Sequence, residues 1–289
     1  MPRRLLTHTD LDGIGCAVLF TGVEAEQASF ELVENGRIDA RVREALASER
    51  DVLVTDHGVS EDTAALVDDF VAGGGRFSLL DHHRSSLALT ARAWAVVDES
   101  RSATGLLFDH LGRPPAFAEF ARLVEDHDLW RHQDPRSERL SALVGLLGHE
   151  RFLERFRADP DVTFREGELL LLENAERRRE DFLRKKVEQA RVLERGGERW
   201  AVCYAEDYQS DLAERLMNEL EVTSTAIVNP GKRTVSLRSR GGDVSELARR
   251  FGGGGHARAA AFSFRGSELE TRLEEFEAAL EAELDGVRD

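Results

Sequence analysis

A chain of 289 residues, 41% hydrophobic and 33% charged, is long enough for about two globular domains and excludes a disordered or fibrous polymer. Its formal net charge of -16 excludes a surface that wraps long DNA or RNA, because neutralisation of phosphates by basic side chains dominates that affinity. Cys16 and Cys203 each sit in an apolar stretch and no run of about 18 apolar residues occurs, so neither a disulfide scaffold nor a transmembrane helix is expected. The start Met1-Pro2-Arg3-Arg4 leads into a strand rather than a signal sequence, and the expected location is the cytoplasm.

In chain order, Arg4 to His8 reads as a strand and Gly13 to Val23 as a helix entered through an acidic loop. Phe30 to Val33 and Val52 to Thr55 read as strands, Arg37 to Ala47 and Glu61 to Ala72 as helices, and Arg76 to Leu80 as the next strand. Strand alternating with helix predicts a parallel α/β sheet, whose ligands lie beyond the carboxyl ends of the strands. Trp94 to Val97 adds an apolar run, Ser100 to Gly105 a polar helix entry, and a helix after Pro114-Pro115 reaches Glu125-Asp126-His127-Asp128-Leu129-Trp130. Residues 162 to 195 read as helical throughout and dense in Glu and Arg, the mark of an interdomain linker on which two chains could pair as a homodimer. A second domain then offers strands at Trp200 to Tyr204, Thr225 to Val228 and Thr234 to Leu237. Its helices are expected at Asp211 to Leu220, Val244 to Phe251 and Leu269 to Leu284.

Four acidic clusters end apolar runs: Asp10 and Asp12, Asp56-His57, Asp81-His82-His83, and Asp126-His127-Asp128. Taken singly, the Asp10/Asp12 and Asp56-His57 clusters could be turns or helix caps and Asp126 and Asp128 solvated helix-end charges, whereas the triplet Asp81-His82-His83 has few structural uses at the end of an apolar run. Four at matching ends of successive elements are improbable as independent accidents. Carboxylates with imidazoles and no cysteine suit manganese or magnesium better than structural zinc. Neighbouring His82 and His83 point to opposite sides of a strand end, so one can hold a metal while the other faces a substrate. Asp10 and Asp12, if extended, lie about 7 Å apart on one side, a span that suits two ions about 3.5 to 4 Å apart. For His8 to join them the chain must curl after Thr9, helped by Gly13 and Gly15. Gly252 to Gly255 look free of packing value, so their amides are expected to approach a phosphate, with a flexible hinge as the alternative.

This set, His8-x-Asp10-x-Asp12, Asp56-His57, Asp81-His82-His83 and Asp126 followed by Gly252-Gly253-Gly254-Gly255-His256, resembles the DHH phosphoesterases with a C-terminal DHHA1 domain. The resemblance covers almost the whole chain, on the nanoRNase, RecJ-like and dinucleotide phosphodiesterase side of the family. It implies an N-terminal parallel-sheet DHH domain at 1–160, a long helical linker at 161–196, and a smaller α/β DHHA1 domain with a mixed sheet at 197–289. It also implies two divalent cations, Mn²⁺ in preference to Mg²⁺, with His8, Asp10 and Asp56 on one and Asp12, Asp56, His82 and Asp126 on the other. Many members space the first motif His-x-x-x-Asp-x-Asp, and on that spacing His8 departs from the pattern.

By the same resemblance His83 would face the scissile phosphate with Arg84 beside it, and Asp81 would orient an imidazole from behind. Ser102, Arg238, Gly253, Gly254, Gly255, His256 and Arg258 would bind substrate, while His57 and His127 would support the site. Ser102 reads equally well as a helix cap. The expected activity is hydrolysis of di- to pentanucleotides, or of linear or cyclic dinucleotides, to mononucleotides, with no membrane partner. A phosphatase acting on a nucleotide bisphosphate is the alternative, and a nucleotide sensor without turnover is a third reading.

Overall fold

The computed structural model describes residues 3–24, 28–195 and 198–264, and Ala278. The chain divides into two compact units, Met1–Leu172 and Glu173–Asp289.

The first unit is built on five parallel strands, β1 (Arg3–Thr7), β2 (Ala28–Leu32), β3 (Asp51–Thr55), β4 (Arg76–Asp81) and β5 (Ala95–Val97), in the order β2-β1-β3-β4-β5. Side chains alternate across a strand, and both faces of this sheet are apolar. Leu5, Leu53 and Leu80 enter one core, whereas Leu6, Val52, Val54 and Leu79 enter the other. Helices α2 (Ile38–Ser48) and α3 (Glu61–Ala72) cover the second face through Ile38, Val42, Ala64 and Val67.

The first face is covered by α1 (Leu11–Glu24), which is buried without a break from Leu11 to Thr21. A helix apolar all round needs neighbours on every side. They are α4 (Ala103–His110), α5 (Ala118–Asp128), α6 (Pro135–Leu147) and α7 (His149–Ala158), which share its core through Leu107, Phe120, Leu140 and Phe152. The last two helices were not anticipated from sequence. In retrospect Asp134-Pro135 announces α6, since Asp134 accepts from the Arg136 N–H at 3.0 Å and proline suits the first helical position. Strand order reverses between β1 and β3, and that reversal opens a crevice at their carboxyl ends.

Helix α8 (Glu166–Gln189) contributes Leu172 to the first core and Leu183 to a core formed with Ala201, Cys203, Leu212 and Leu216. Residues 191–195, expected to continue the helix, instead form β6 (Arg191–Arg195), antiparallel to β7 (Glu198–Tyr204). Leu193 there packs beside Trp200, so burial and ladder pairing override helix propensity. The second sheet is mixed, in the order β10-β11-β9-β8-β7-β6. Its remaining strands are β8 (Ser224–Asn229), β9 (Thr234–Ser239), β10 (Gly254–His256) and β11 (Ala259–Ser263), with helices α9 (Gln209–Glu219) and α10 (Val244–Arg250). The helix expected over 269–284 lies outside the described residues, Ala278 apart. Both cysteines are buried free thiols, and among the described residues no helix is long and apolar enough to cross a membrane.

Candidate metal centre

The crevice is lined first by the turn out of β1. Thr7 closes that strand with its hydroxyl donating to the Gly13 carbonyl at 3.0 Å and accepting from Thr55 at 2.8 Å. Asp10 then accepts the Gly13 N–H at 3.0 Å and starts α1. The turn depends on Gly13, because a Cβ there would stand 2.2 Å from the His8 carbonyl oxygen. Asp12 therefore lies in the first turn of a helix, not on the extended segment expected from its parity with Asp10. Its carboxylate accepts the N–H groups of Ala103 at 2.7 Å and Thr104 at 2.8 Å, at the start of α4.

Asp56 follows β3 in the left-handed region at φ 57°, which aspartate tolerates better than most residues. Its N–H donates to the Leu80 carbonyl at 3.0 Å, which ties the β3 end to β4. From there its two oxygens reach both ways: Oδ2 is 3.8 Å from His8 Nδ1, and Oδ1 is 3.3 Å from His82 Nε2. His8 Nδ1 is also 2.9 Å from Asp10. His82 Nε2 stands 3.8 Å from Asp12, and its Nδ1 3.5 Å from Asp128. Among the described residues three groups result with candidate ligand atoms within 4.8 Å of one another: the nests His8-Asp10-Asp56 and Asp12-His82-Asp128, and between them Asp56-Asp81-His82-His83.

Burial raises the carboxyls of Asp12 and Asp56 above their usual range, and for Asp56 the charges of Asp12 and Asp10 add to it. Asp128 is pushed up to about 8 by the same burial and by Asp12 and Asp10. Asp56 Oδ2 and Asp128 Oδ2 are buried without a hydrogen-bond partner. Buried carboxylates in that condition are costly unless a cation compensates them. Hard oxygen donors with imidazole, three to a nest, fit a divalent cation.

Asp81, fully buried at the end of β4, accepts from the backbone N–H of His82 at 2.8 Å, from His83 Nδ1 at 2.7 Å and from the Ser86 hydroxyl. Hydrogen bonding to Asp81 raises the His83 imidazole above its ordinary value. His83 is half exposed and lines a cavity of about 360 Å³ with His8, Asn35, Asp56, Gly58 and Val59. Gly58 lets that wall close, since a Cβ would fall 2.1 Å from Ser86 Oγ.

Comparison with known proteins places this geometry. Residues 205–285 match the DHHA1 domain. Over 287 residues the chain is 30% identical to the oligoribonuclease NrnB of Bacillus subtilis, an alignment covering 90% of this chain and 72% of that protein. The chain belongs to the DHH phosphoesterase family. Among solved structures, the pGpG-specific phosphodiesterase PggH of Vibrio cholerae shares the fold with a TM-score of 0.59 at 15% identity, over 97% of this chain and 99% of that one. RecJ of Thermus thermophilus, solved with Mn²⁺, does so with a TM-score of 0.54 at 18% identity, over 96% of this chain and 52% of RecJ.

In this DHH protein the first unit brings together His8, Asp10, Asp12, Asp56, Asp81, His82 and His83. Asp126 is not among them, which corrects the sequence assignment. It accepts the N–H groups of Gln133 at 3.1 Å and Asp134 at 3.2 Å, and Asp128 stands beside His82 instead. Two residues apart on a helix are about 200° apart around its axis, so only one of the pair can face the crevice. Asp128 lies one turn beyond Val124, whose side chain meets α1 at Gly15, whereas Asp126 lies one turn beyond Arg122.

Ser102 is also corrected. It is fully buried and its hydroxyl accepts the Gly105 N–H at 3.0 Å, capping α4. His57 is buried, with Nε2 bonded to the Val33 carbonyl at 3.0 Å, and burial lowers its pKa. Arg84 is exposed at the start of a 3₁₀ turn, Arg84–Ala91.

In the DHHA1 unit, Arg238 on β9 is half-buried, and His256 and Arg258 are exposed around the β10–β11 turn. Two of the four glycines there, Gly253 and Gly255, do have packing value, contrary to expectation. A Cβ on Gly253 would lie 2.1 Å from the Ala261 carbonyl, and one on Gly255 2.5 Å from that of Ala259. Gly254 alone of the β10 glycines faces open space, and the segment is a paired strand rather than a hinge.

Proposed function

We propose that this protein hydrolyses short oligonucleotides, of two to about five residues, to nucleoside monophosphates with the help of two divalent cations, Mn²⁺ in preference to Mg²⁺. One observation carries the reading: Asp12, Asp56 and Asp128 come from three distant stretches, meet around His82, and leave two buried carboxylate oxygens without hydrogen-bond partners. The 30% identical relative is an oligoribonuclease, which supports the substrate class. The name of the structural neighbour PggH, a pGpG phosphodiesterase, agrees with it.

In this reading His8, Asp10 and Asp56 would hold one cation and Asp12, His82 and Asp128 the other, with Asp56 Oδ1 3.3 Å from His82. Divalent cations in such a site supply an activated water and neutralise charge on the phosphoryl oxygens. The remaining work falls to the chain. Asp81 fixes the His83 ring through Nδ1, leaving Nε2 for the phosphate or the leaving oxygen, and the bond to Asp81 favours the protonated donor. The cavity beside His83 and Asp56 receives the group attached to that phosphate. In the DHHA1 unit, Arg238, His256, Arg258 and the open edge at Gly254 are the groups offered to a nucleotide.

The test is a panel of labelled substrates from two to about twenty-four nucleotides, with a nucleotide bisphosphate included. It uses chelator-stripped protein given Mn²⁺, Mg²⁺ or nothing. Mononucleotides released from di- to pentanucleotides, strongest with Mn²⁺, are expected. Intact short substrates alongside turnover of the bisphosphate would replace the reading with a phosphatase.

A further inference from the structure

The segment that follows α5 spends conformational energy to expose an aromatic ring. Trp130 is 77% exposed, the highest value among the exposed large hydrophobic side chains of the described residues. Its backbone sits at φ 54°, and that of His132 at φ 46°. The N–H groups of Trp130 and Arg131 close the helix onto the His127 and Asp126 carbonyls at 3.0 and 2.9 Å. At such a helix end the left-handed position normally goes to glycine, and a bulky residue there is strained. Strain of this kind persists only where the surroundings over-determine it.

Here they do. Asp126 accepts two N–H groups from the same loop, and the Arg131 guanidinium donates to the Ser100 carbonyl at 3.0 Å and to Glu125 at 3.3 Å. The rings form a small shelf. Trp130 lies edge-on to His132, centroids 4.4 Å apart, and 6.3 Å from the His127 ring. The shelf begins two residues past Asp128, within about 7 Å of backbone.

We propose that Trp130, backed by His132 and His127, is a stacking platform for one base of the oligonucleotide whose phosphate enters the centre. This rests on the phosphodiesterase reading above. An acid-rich centre in a chain of net charge -16 has little positive charge to spare for a polyanion, so an uncharged anchor is what its rim needs. Base stacking on an aromatic ring supplies one, and it tolerates any base because every base has a π-face.

The test compares wild type, Trp130→Phe, Trp130→Ala and Trp130→Gly in the full chain. For a dinucleotide, the Ala and Gly variants are expected to raise KM about tenfold, the order of one stacking contact, with kcat nearly kept and Phe close to wild type. An abasic residue at the stacked position should raise wild-type KM equally and add nothing in Trp130→Ala. Tryptophan fluorescence, read without metal, should be quenched by the dinucleotide in wild type and not in Trp130→Phe, where Trp94 and Trp200 remain. Trp130→Gly should melt higher than Trp130→Ala, because glycine relieves the strain.

Unchanged KM in Trp130→Ala, with wild type active, overturns the platform and leaves the phosphodiesterase reading standing. A change in oligomeric mass with unchanged KM assigns the ring to a protein interface and overturns it too. Quenching by the dinucleotide in a wild type that hydrolyses nothing supports the platform and removes the phosphodiesterase reading.

Discussion

The two ends of β3 hold buried aspartates in opposite circumstances. Asp51 at the start is met by Arg3 at 3.3 Å and Arg76 at 2.6 Å, so its charge is answered from within the chain. Asp56 just past the other end has imidazoles at that range, His82 at 3.3 Å and His8 at 3.8 Å, and the carboxylates of Asp12 and Asp10 press on it. One end is finished by folding. The other is left with crowded, buried carboxyls that burial and neighbouring carboxylates push above their usual range, a condition that a bound cation would relieve and that a structural ion pair of similar burial does not carry.

The sharpest way to break this comparison is to neutralise each end in turn. Asp56→Asn should cut turnover on the order of 10³-fold, the scale of removing a group that organises charge in the transition state. Its melting temperature without metal should hold or rise, because a crowded buried charge has gone. Asp51→Asn should do the reverse: it keeps activity and loses about 1 to 2 kcal/mol of stability, a buried-pair loss discounted because Arg76 is largely solvated. Turnover and melting curves on both proteins decide the matter, and an Asp56→Asn variant that melts early yet stays active would reverse the assignment.

A smaller effect separates the two aspartates of α5. Calorimetric titration with Mn²⁺ should show Asp128→Asn weakening affinity at least about tenfold. Asp126→Asn should bind Mn²⁺ like wild type and lose about 1 kcal/mol of stability, since the amide keeps only part of the bonding to Gln133 and Asp134. The opposite ranking would put the wrong helix face in the crevice.

The effect on turnover is smallest where the contrast between filled and open positions extends to β10. Gly253→Ala should cost about 1 to 3 kcal/mol through its clash with Ala261. Gly254→Ala, facing open space, should change stability by less than about 0.5 kcal/mol. Any rise in KM for that second variant then reports backbone approached by substrate, and an unaltered KM removes Gly254 from the binding surface.

What the residues determined unaided is the alternation of strand and helix through β4, the parallel sheet, and the acidic tips that gather at its carboxyl edge. These follow from local apolar periodicity and from residue types with few structural uses at the end of an apolar run. His8, whose spacing departs from the common motif, stays open on the sequence alone, and it is the fold that sets its ring 2.9 Å from Asp10. Tertiary structure alone decided that Asp12 starts a helix rather than extending a strand, that Asp128 rather than Asp126 turns inward, and that residues 191–195 leave the helix to pair with β7. It also decided that Gly253 and Gly255 are fixed by a neighbouring strand. The reason is common to all four. Which side of an element a residue faces at its end, and which distant strand it meets, depends on partners far away in sequence, and no local pattern carries that information.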